Sequence, residues 1–302
     1  MSAGSSSLII TLSLPEGLSQ ADIAAASEAI RAAGGYVSAE VALDQPFATD
    51  LIVRGIAASA ARTAVEAAGQ FDVTVQPATG QRRKGLLVAD MDSTMIGQEC
   101  IDELADYAGK KAEIAAITER AMQGELDFAE ALKARVAALA GLDAGVIARC
   151  LDERITLTPG AITLISTMKA LGARTVLISG GFTVFTETIA ARIGFDRQVA
   201  NVLEIAGGRL AGTVAMPIVD SSVKRATLMA ERDALGLDAD ATLAVGDGAN
   251  DIPMLEAAGL GIAFHAKPRA ATAADAAVRY GDLTTLLWAQ GLPRASWVST
   301  NR

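Results

Sequence analysis

Asp90-Met91-Asp92-Ser93-Thr94 directly follows an unbroken apolar run, Leu86-Leu87-Val88-Ala89. Side chains alternate along an extended segment, so the two carboxylates can point into one pocket. Crowding of like charges separates their pKa values, leaving one ionised as nucleophile or metal ligand and the other able to carry a proton as acid. Gly246-Asp247-Gly248-Ala249-Asn250-Asp251 follows a second apolar run, Thr242 to Val245, and adds two more carboxylates. Four carboxylates in one place destabilise a fold unless a cation offsets them, and an all-oxygen donor set suits Mg²⁺. A third run, Thr175 to Ile178, leads into Ser179-Gly180-Gly181-Phe182, where a hydroxyl and glycine amides can hold a phosphate oxygen. Lys224, in Val219-Asp220-Ser221-Ser222-Val223-Lys224, can offset charge on a phosphoryl group and on the carboxylates. Each segment alone has an ordinary reading as a capped turn, a solvated acidic loop or a surface lysine. Together they point to phosphoryl chemistry.

Other chemistries lack their residues. The single histidine, His265, is too few for histidine-dependent phosphatases or zinc peptidase motifs, and it reads as a loop residue with a local hydrogen bond. A GxSxG elbow, a Walker A loop and a GxGxxG fingerprint are all missing. The net charge of -9 repels polyanions, and Arg82-Arg83-Lys84 is too short for a nucleic-acid patch. Cys100 and Cys150 show no paired or metal-binding spacing, so buried structural thiols are expected. The opening MSAGSSSLIITLSLP has no basic leader and is broken by Thr11 and Ser13; no later stretch supplies the ~18 apolar residues of a membrane span. The expectation is a cytoplasmic protein without nucleic-acid or membrane partners.

The elements that must position these residues are legible as two patterns. Residues 8–14, 19–33, 36–43, 51–53, 58–68 and 71–75 alternate in the order βαββαβ, which predicts a small ferredoxin-like unit over 1–80. Residues 76–84, with proline, glycine and a basic run, read as a linker. From Gly85 onward the short apolar runs separated by helical periodicity predict an α/β doubly wound parallel sheet over 81–302. In such sheets ligands bind beyond the carboxyl ends of the strands, where Asp90, Ser179 and Asp247 fall. Residues 98–157 show helical periodicity and predict a helical insertion above that edge. Gly207-Gly208, between 201–205 and 209–214, predicts a hairpin.

In order along the chain, the Asp90 segment, Ser179, Lys224 and the Asp247 segment resemble the four motifs of the haloacid-dehalogenase-like (HAD) phosphohydrolase superfamily, over about residues 85 to 290. The resemblance implies a Rossmann-like core with a helical cap, Asp90 as nucleophile and Asp92 as general acid and base. It implies that Ser179, Gly180, Lys224 and Asn250 bind the phosphorylated substrate, and that Asp90, the Asp92 carbonyl and Asp247 hold Mg²⁺ with Asp251 in support. Ile96-Gly97-Gln98-Glu99-Cys100-Ile101-Asp102-Glu103, Met122-Gln123-Gly124-Glu125-Leu126-Asp127-Phe128, Arg135 and Val219-Asp220 are similar to the phosphoserine phosphatases of that superfamily. That similarity implies hydrolysis of phosphoserine, the last step of serine biosynthesis. Glu99 would meet the substrate ammonium and Arg135 its carboxylate, with Met122 and Phe128 closing an apolar lid. The alternatives left open are transfer to an alcohol such as homoserine, hydrolysis of another small phosphorylated metabolite, and an amino-acid-sensing, phospho-accepting regulator. The first unit resembles amino-acid-binding ACT-type domains; binding of an amino-acid effector, homodimerisation and plain packing all stay open for it.

Overall fold

The computed structural model describes residues 7–122 and 125–299, apart from the Met122 side chain. The chain opens with β1 (Leu8–Ser13), α1 (Gln20–Ala32), β2 (Tyr36–Asp44), β3 (Ala48–Arg54), α2 (Ala58–Glu66) and β4 (Asp72–Pro77). Ser19 starts α1 through a capping box with Asp22, in which each residue's side chain accepts from the other's backbone N–H. Ile23, Ala26 and Ile30, at helical spacing, bury the inner face of α1 against Leu8, Ile10, Leu12, Leu51 and Val53 of the strands. The strands run antiparallel in the order β2-β3-β1-β4.

After β5 (Leu86–Ala89) come four helices, α3 (Cys100–Tyr107), α4 (Lys111–Met122), α5 (Phe128–Ala138) and α6 (Gly145–Glu153), in the stretch where helical periodicity predicts an insertion. Asp127 and Glu130 form a second capping box that fixes the start of α5, and with it the entry of Phe128 into the helix. The chain continues through α7 (Ala161–Ala170), β6 (Arg174–Phe182), α8 (Thr183–Ile193), β7 (Arg197–Asn201), β8 (Leu203–Ala206) and β9 (Arg209–Val214). It ends with α9 (Ser221–Leu235), β10 (Thr242–Gly246), α10 (Ile252–Ala257), β11 (Leu260–Phe264), α11 (Pro268–Ala273), β12 (Ala276–Val278) and α12 (Thr285–Ala289). Strands β12, β11, β10, β5, β6 and β7 are parallel neighbours in that order. Every residue of β5, β10 and β11 is buried, because helices cover both faces; this explains the continuous apolar runs. Chain direction across the sheet reverses between β5 and β10, which opens a crevice at their carboxyl ends.

Two features depart from the sequence-based picture. The stretch 201–205 is not one strand: β7 ends at Asn201 inside the core sheet, and β8 begins at Leu203 in a separate hairpin with β9. The segment 76–84 is more than a tether. Gln76 and Pro77 complete β4, which pairs antiparallel with β12 at Val73 and Ala277, so both units share one ten-stranded sheet. Arg82 donates to both carboxylate oxygens of Asp50 (2.7 and 2.8 Å) and to Thr11 Oγ1 (2.8 Å). Asp72 accepts from the backbone N–H groups of Arg279, Tyr280 and Gly281 (2.6, 3.2 and 2.7 Å), gripping a loop of the core. No helix among the described residues is long and apolar enough to cross a membrane.

Candidate active site

The carboxyl ends of β5, β6 and β10 converge on one cavity of about 320 Å³. Asp90, Asp92, Ser179, Gly180, Asp247 and Asn250 line it from the sheet; Glu99, Phe128 and Arg135 line it from the helical insertion. Lys224 and Asp251 are fully buried beneath it. Of the residues singled out from the sequence, Met122 ends α4 with its side chain outside the described residues.

Asp90 is held at the end of β5 by its backbone N–H, which donates to Val245 O (3.0 Å), while Met91 N donates to its Oδ1 (2.8 Å). Lys224 Nζ sits between two carboxylates, 2.7 Å from Asp90 Oδ1 and 2.7 Å from Asp251 Oδ1. Lys224 reaches that place from the first turn of α9, which starts at Asp220: its carboxylate accepts from Ser222 N and Val223 N. Burial alone would favour a neutral lysine, but the charges of Asp251 and Asp90 outweigh it and raise the Lys224 pKa. Burial and the nearby Asp251 push the Asp90 carboxyl well up, with Lys224 opposing. The same two causes push Asp247 to about 6.

Carboxylate oxygens of Asp90, Asp247 and Asp251 lie within 4.8 Å of one another, all on buried residues. Lys224 bonds only two of these three carboxylates, and burial together with the charge of Asp251 holds Asp90 and Asp247 upward. A hard divalent cation with oxygen ligands fits this donor set. Gly246 permits the crowding: a Cβ there would meet Asp251 Cγ at 2.4 Å.

The Asp92 carboxylate does not join that cluster. Its Oδ1 accepts from Cys100 N (3.1 Å) and its Oδ2 from Ser179 Oγ (3.2 Å), at the cavity wall. Burial raises its pKa against these hydrogen bonds. Gly181 lets the carboxylate come this close, since a Cβ would stand 2.8 Å from Asp92 Oδ2; Gly181 N in turn donates to Ser179 Oγ (2.8 Å). Across the cavity, Glu99 stands at the solvent-open mouth and accepts from Ser93 Oγ (2.7 Å). Enclosure by the walls and the charge of Asp92 push its carboxyl to about 7. Arg135, on α5, donates Nε to Ala131 O (3.3 Å); burial lowers its pKa against the pull of Asp102, Glu99 and Asp92. The cavity thus has an acidic, lysine-backed floor and a roof carrying one acid and one guanidinium.

Two contributors carried no sequence signal. Lys267 lines the cavity from the loop after β11, tied down by its backbone N–H to Asp247 O (3.0 Å). Asn201 donates Nδ2 to Gly180 O (2.9 Å) and accepts from Val219 N (2.8 Å), linking the Ser179 loop to the segment that leads into Lys224. Recognition that β11 ends at the same sheet edge would have pointed to Lys267; the Asn201 bridge joins segments remote in sequence.

Comparison with known proteins agrees with this geometry. Residues 87–256 match the family model of the haloacid dehalogenase-like hydrolases. A phosphoserine phosphatase of Streptomyces coelicolor is 45% identical over 251 residues, covering 82% of this chain and 61% of the relative, so the chain spans about three fifths of that protein. The unliganded structure of a probable phosphoserine phosphatase from Vibrio cholerae superimposes with a TM-score of 0.75 at 32% identity, over 94% of this chain and 87% of that one. A phospho-aspartyl intermediate analogue of a phosphoserine phosphatase superimposes with a TM-score of 0.63 at 37% identity, over 68% of this chain and 98% of that one. On the match across 87–256 and the motifs it encloses, the chain belongs to the haloacid dehalogenase-like hydrolases, in the group that holds these phosphoserine phosphatases.

Proposed function

We propose that the chain is a phosphoserine phosphatase that works through phosphorylation of Asp90. The observation that carries this reading is the pairing of two differently equipped carboxylates: Asp90 against Lys224, and Asp92 against Ser179, in one cavity. Asp90 and Asp247, with the Asp92 carbonyl, would hold Mg²⁺, which when bound supplies positive charge to the phosphoryl oxygens. Asp90 attacks phosphorus, and the bond from phosphorus to the serine oxygen breaks as Asp92 gives that oxygen its proton. Lys224, already 2.7 Å from Asp90, places its charge beside whatever is bonded there. Water then attacks the aspartyl phosphate while Asp92 takes its proton, releasing phosphate and restoring both residues. Ser179 and the backbone of the Gly180 loop orient the phosphoryl group, and Asn250 lines the opposite wall.

The roof selects the substrate. Glu99 and Arg135 offer opposite charges to the α-ammonium and α-carboxylate of an amino acid whose phosphate lies on the floor, with Phe128 closing over its methylene. The test is Mg²⁺-dependent phosphate release from phosphoserine and from a phosphomonoester lacking the carboxylate, on wild type and Arg135→Ala. A guanidinium–carboxylate contact worth about 1.5 to 3 kcal/mol predicts a loss of about 10- to 150-fold in kcat/KM for phosphoserine alone. Equal losses on both substrates would overturn the assignment of the roof.

A further inference from the structure

A second cavity, of about 540 Å³, lies on the far side of the catalytic loop. Three parts of the molecule meet there: Pro15 from the first unit, the hinge of the helical insertion at Gly97 and Thr156, and the loops around His265 and Tyr280. The hinge consists of two backbone segments side by side. Gly97 N donates to Thr156 O (3.0 Å), Thr158 N to Met95 O (3.0 Å), and the Gln98 side chain bonds Thr156 through both its ends (2.8 and 2.9 Å).

Among the described residues, two without a glycine's freedom hold positive φ: Ser93 at 54° and His265 at 44°. They come from loops after different strands, yet both line this one cavity. Such backbone is costly for an L-residue and is kept where the surroundings enforce it, which is commonest at ligand clamps and switch regions. What enforces it here is visible. Ser93 Oγ donates to Glu99 Oε1 in the active site (2.7 Å), and His265 Nε2 donates to Gly281 O (2.8 Å) in the loop that Asp72 of the first unit grips. A molecule seated here touches the first unit, the hinge and the residue that orients Glu99.

The lining residues set the ligand chemistry: Asp282, Phe264, Tyr280, His265 and Thr156 are among them, with no lysine and no arginine among the described residues. A carboxylate beside aromatic rings suits an organic cation and repels anions. We propose that this cavity binds a small primary ammonium compound, and that occupancy moves the helical insertion at the hinge and reorients Glu99 through Ser93. The coupling to Glu99 rests on the phosphatase reading; the binding itself does not.

The probe is n-propylamine, with propionate as the anion of matching size, each titrated by ligand-observed NMR into the full chain with Mg²⁺. Wild type is compared with Asp282→Asn, which keeps an oxygen for the two bonds Asp282 accepts from Thr284, and with Tyr280→Ala, whose side chain is exposed. The expected result is binding of the amine but not of propionate, weakened about tenfold in Asp282→Asn and detectably in Tyr280→Ala. Phosphoserine turnover by wild type should change about fivefold in kcat/KM at saturating amine and also change in kcat. Glycine in place of propylamine tells whether a zwitterion or a simple amine binds more tightly; either keeps the ammonium class. Equal binding of propionate overturns the ligand class. Amine binding untouched by both variants and purely competitive with phosphoserine places the amine at Glu99 and overturns the site. A chain that releases no phosphate from phosphoserine overturns the phosphatase reading instead, while the NMR titration still decides the cavity.

Discussion

Two buried clusters in this molecule use the same residue types to opposite ends. At the junction of the units, Arg82 meets Asp50 one to one, and both oxygens of the carboxylate are matched by the guanidinium. Lys84 nearby donates to two backbone carbonyls, Gln81 O and Asp240 O (both 2.7 Å). Charges there are balanced or spread over neutral acceptors, and the cluster only joins elements. On the catalytic floor one buried lysine, Lys224, bonds only two of the three carboxylates gathered within 4.8 Å. That surplus makes the floor costly as structure, and the proposed chemistry offsets it with a cation. A buried pair that balances is evidence about packing, whereas one that does not balance marks a candidate functional site.

The sharpest way to break this contrast is to remove charge from each cluster in turn. Asp90→Asn takes away the proposed nucleophile and should cut phosphoserine turnover on the order of 10⁴-fold or more in steady state. It also relieves crowding beside Asp251, so thermal unfolding should occur at a temperature no lower than that of wild type. A variant that turns over normally, or that fails to fold, would mean Asp90 is a structural anion like Asp50. Metal removal comes next: EDTA should stop turnover and lower the melting temperature, and Mg²⁺ should restore both. Saturation at about 100 times Kd adds about 2.7 kcal/mol to the folded state. A melting curve indifferent to Mg²⁺ would remove the cation from the floor.

The junction should answer in the other sense. Arg82→Met leaves Asp50 enclosed without its partner, which costs about 3 kcal/mol, at the low end for a broken buried pair because Arg82 is still a fifth exposed. Urea unfolding should report that loss while kcat for phosphoserine stays near wild type. A fall in kcat without a fall in stability would show that the junction participates in chemistry.

The floor was readable in the sequence because Asp90, Ser179 and Asp247 each stand at or just past the end of an apolar run, and buried parallel strands produce such runs. The βαββαβ order of the first unit was readable for a similar reason, in its alternation of periods. Strands β11 and β12 were not: Leu260–Phe264 is short and interrupted by glycine, and Ala276–Val278 has three residues, too few to show a period. Their absence hid Lys267, which follows β11, and hid the pairing of Val73 with Ala277 that turns the supposed linker into a junction. The bond from Ser93 to Glu99 depends on a positive φ at a serine, which composition does not announce.

The finest test of the contrast compares the two lysines themselves. Lys224 is raised by its carboxylates and stays charged across the working range, whereas burial lowers Lys84 to about 8 with only the Asp240 and Asp275 charges opposing. Below that pH Lys84 is protonated in both the folded and the unfolded chain, and the folded state carries the full cost of enclosing the charge. Between about 8 and the ordinary lysine value of 10.5 the folded chain releases this proton while the unfolded chain keeps it. The unfolded state then binds more protons, so the contribution of this residue to stability rises with pH across that window. The two carbonyl bonds do not oppose the change, since a neutral amine still has two N–H groups to donate. The change is read as a difference: wild type minus Lys84→Met in urea unfolding should become more favourable from pH 8 to pH 10.5. A flat difference, or one that falls with pH, would mean that Lys84 is held charged as Lys224 is, and the junction would then conceal an anion that its geometry does not show.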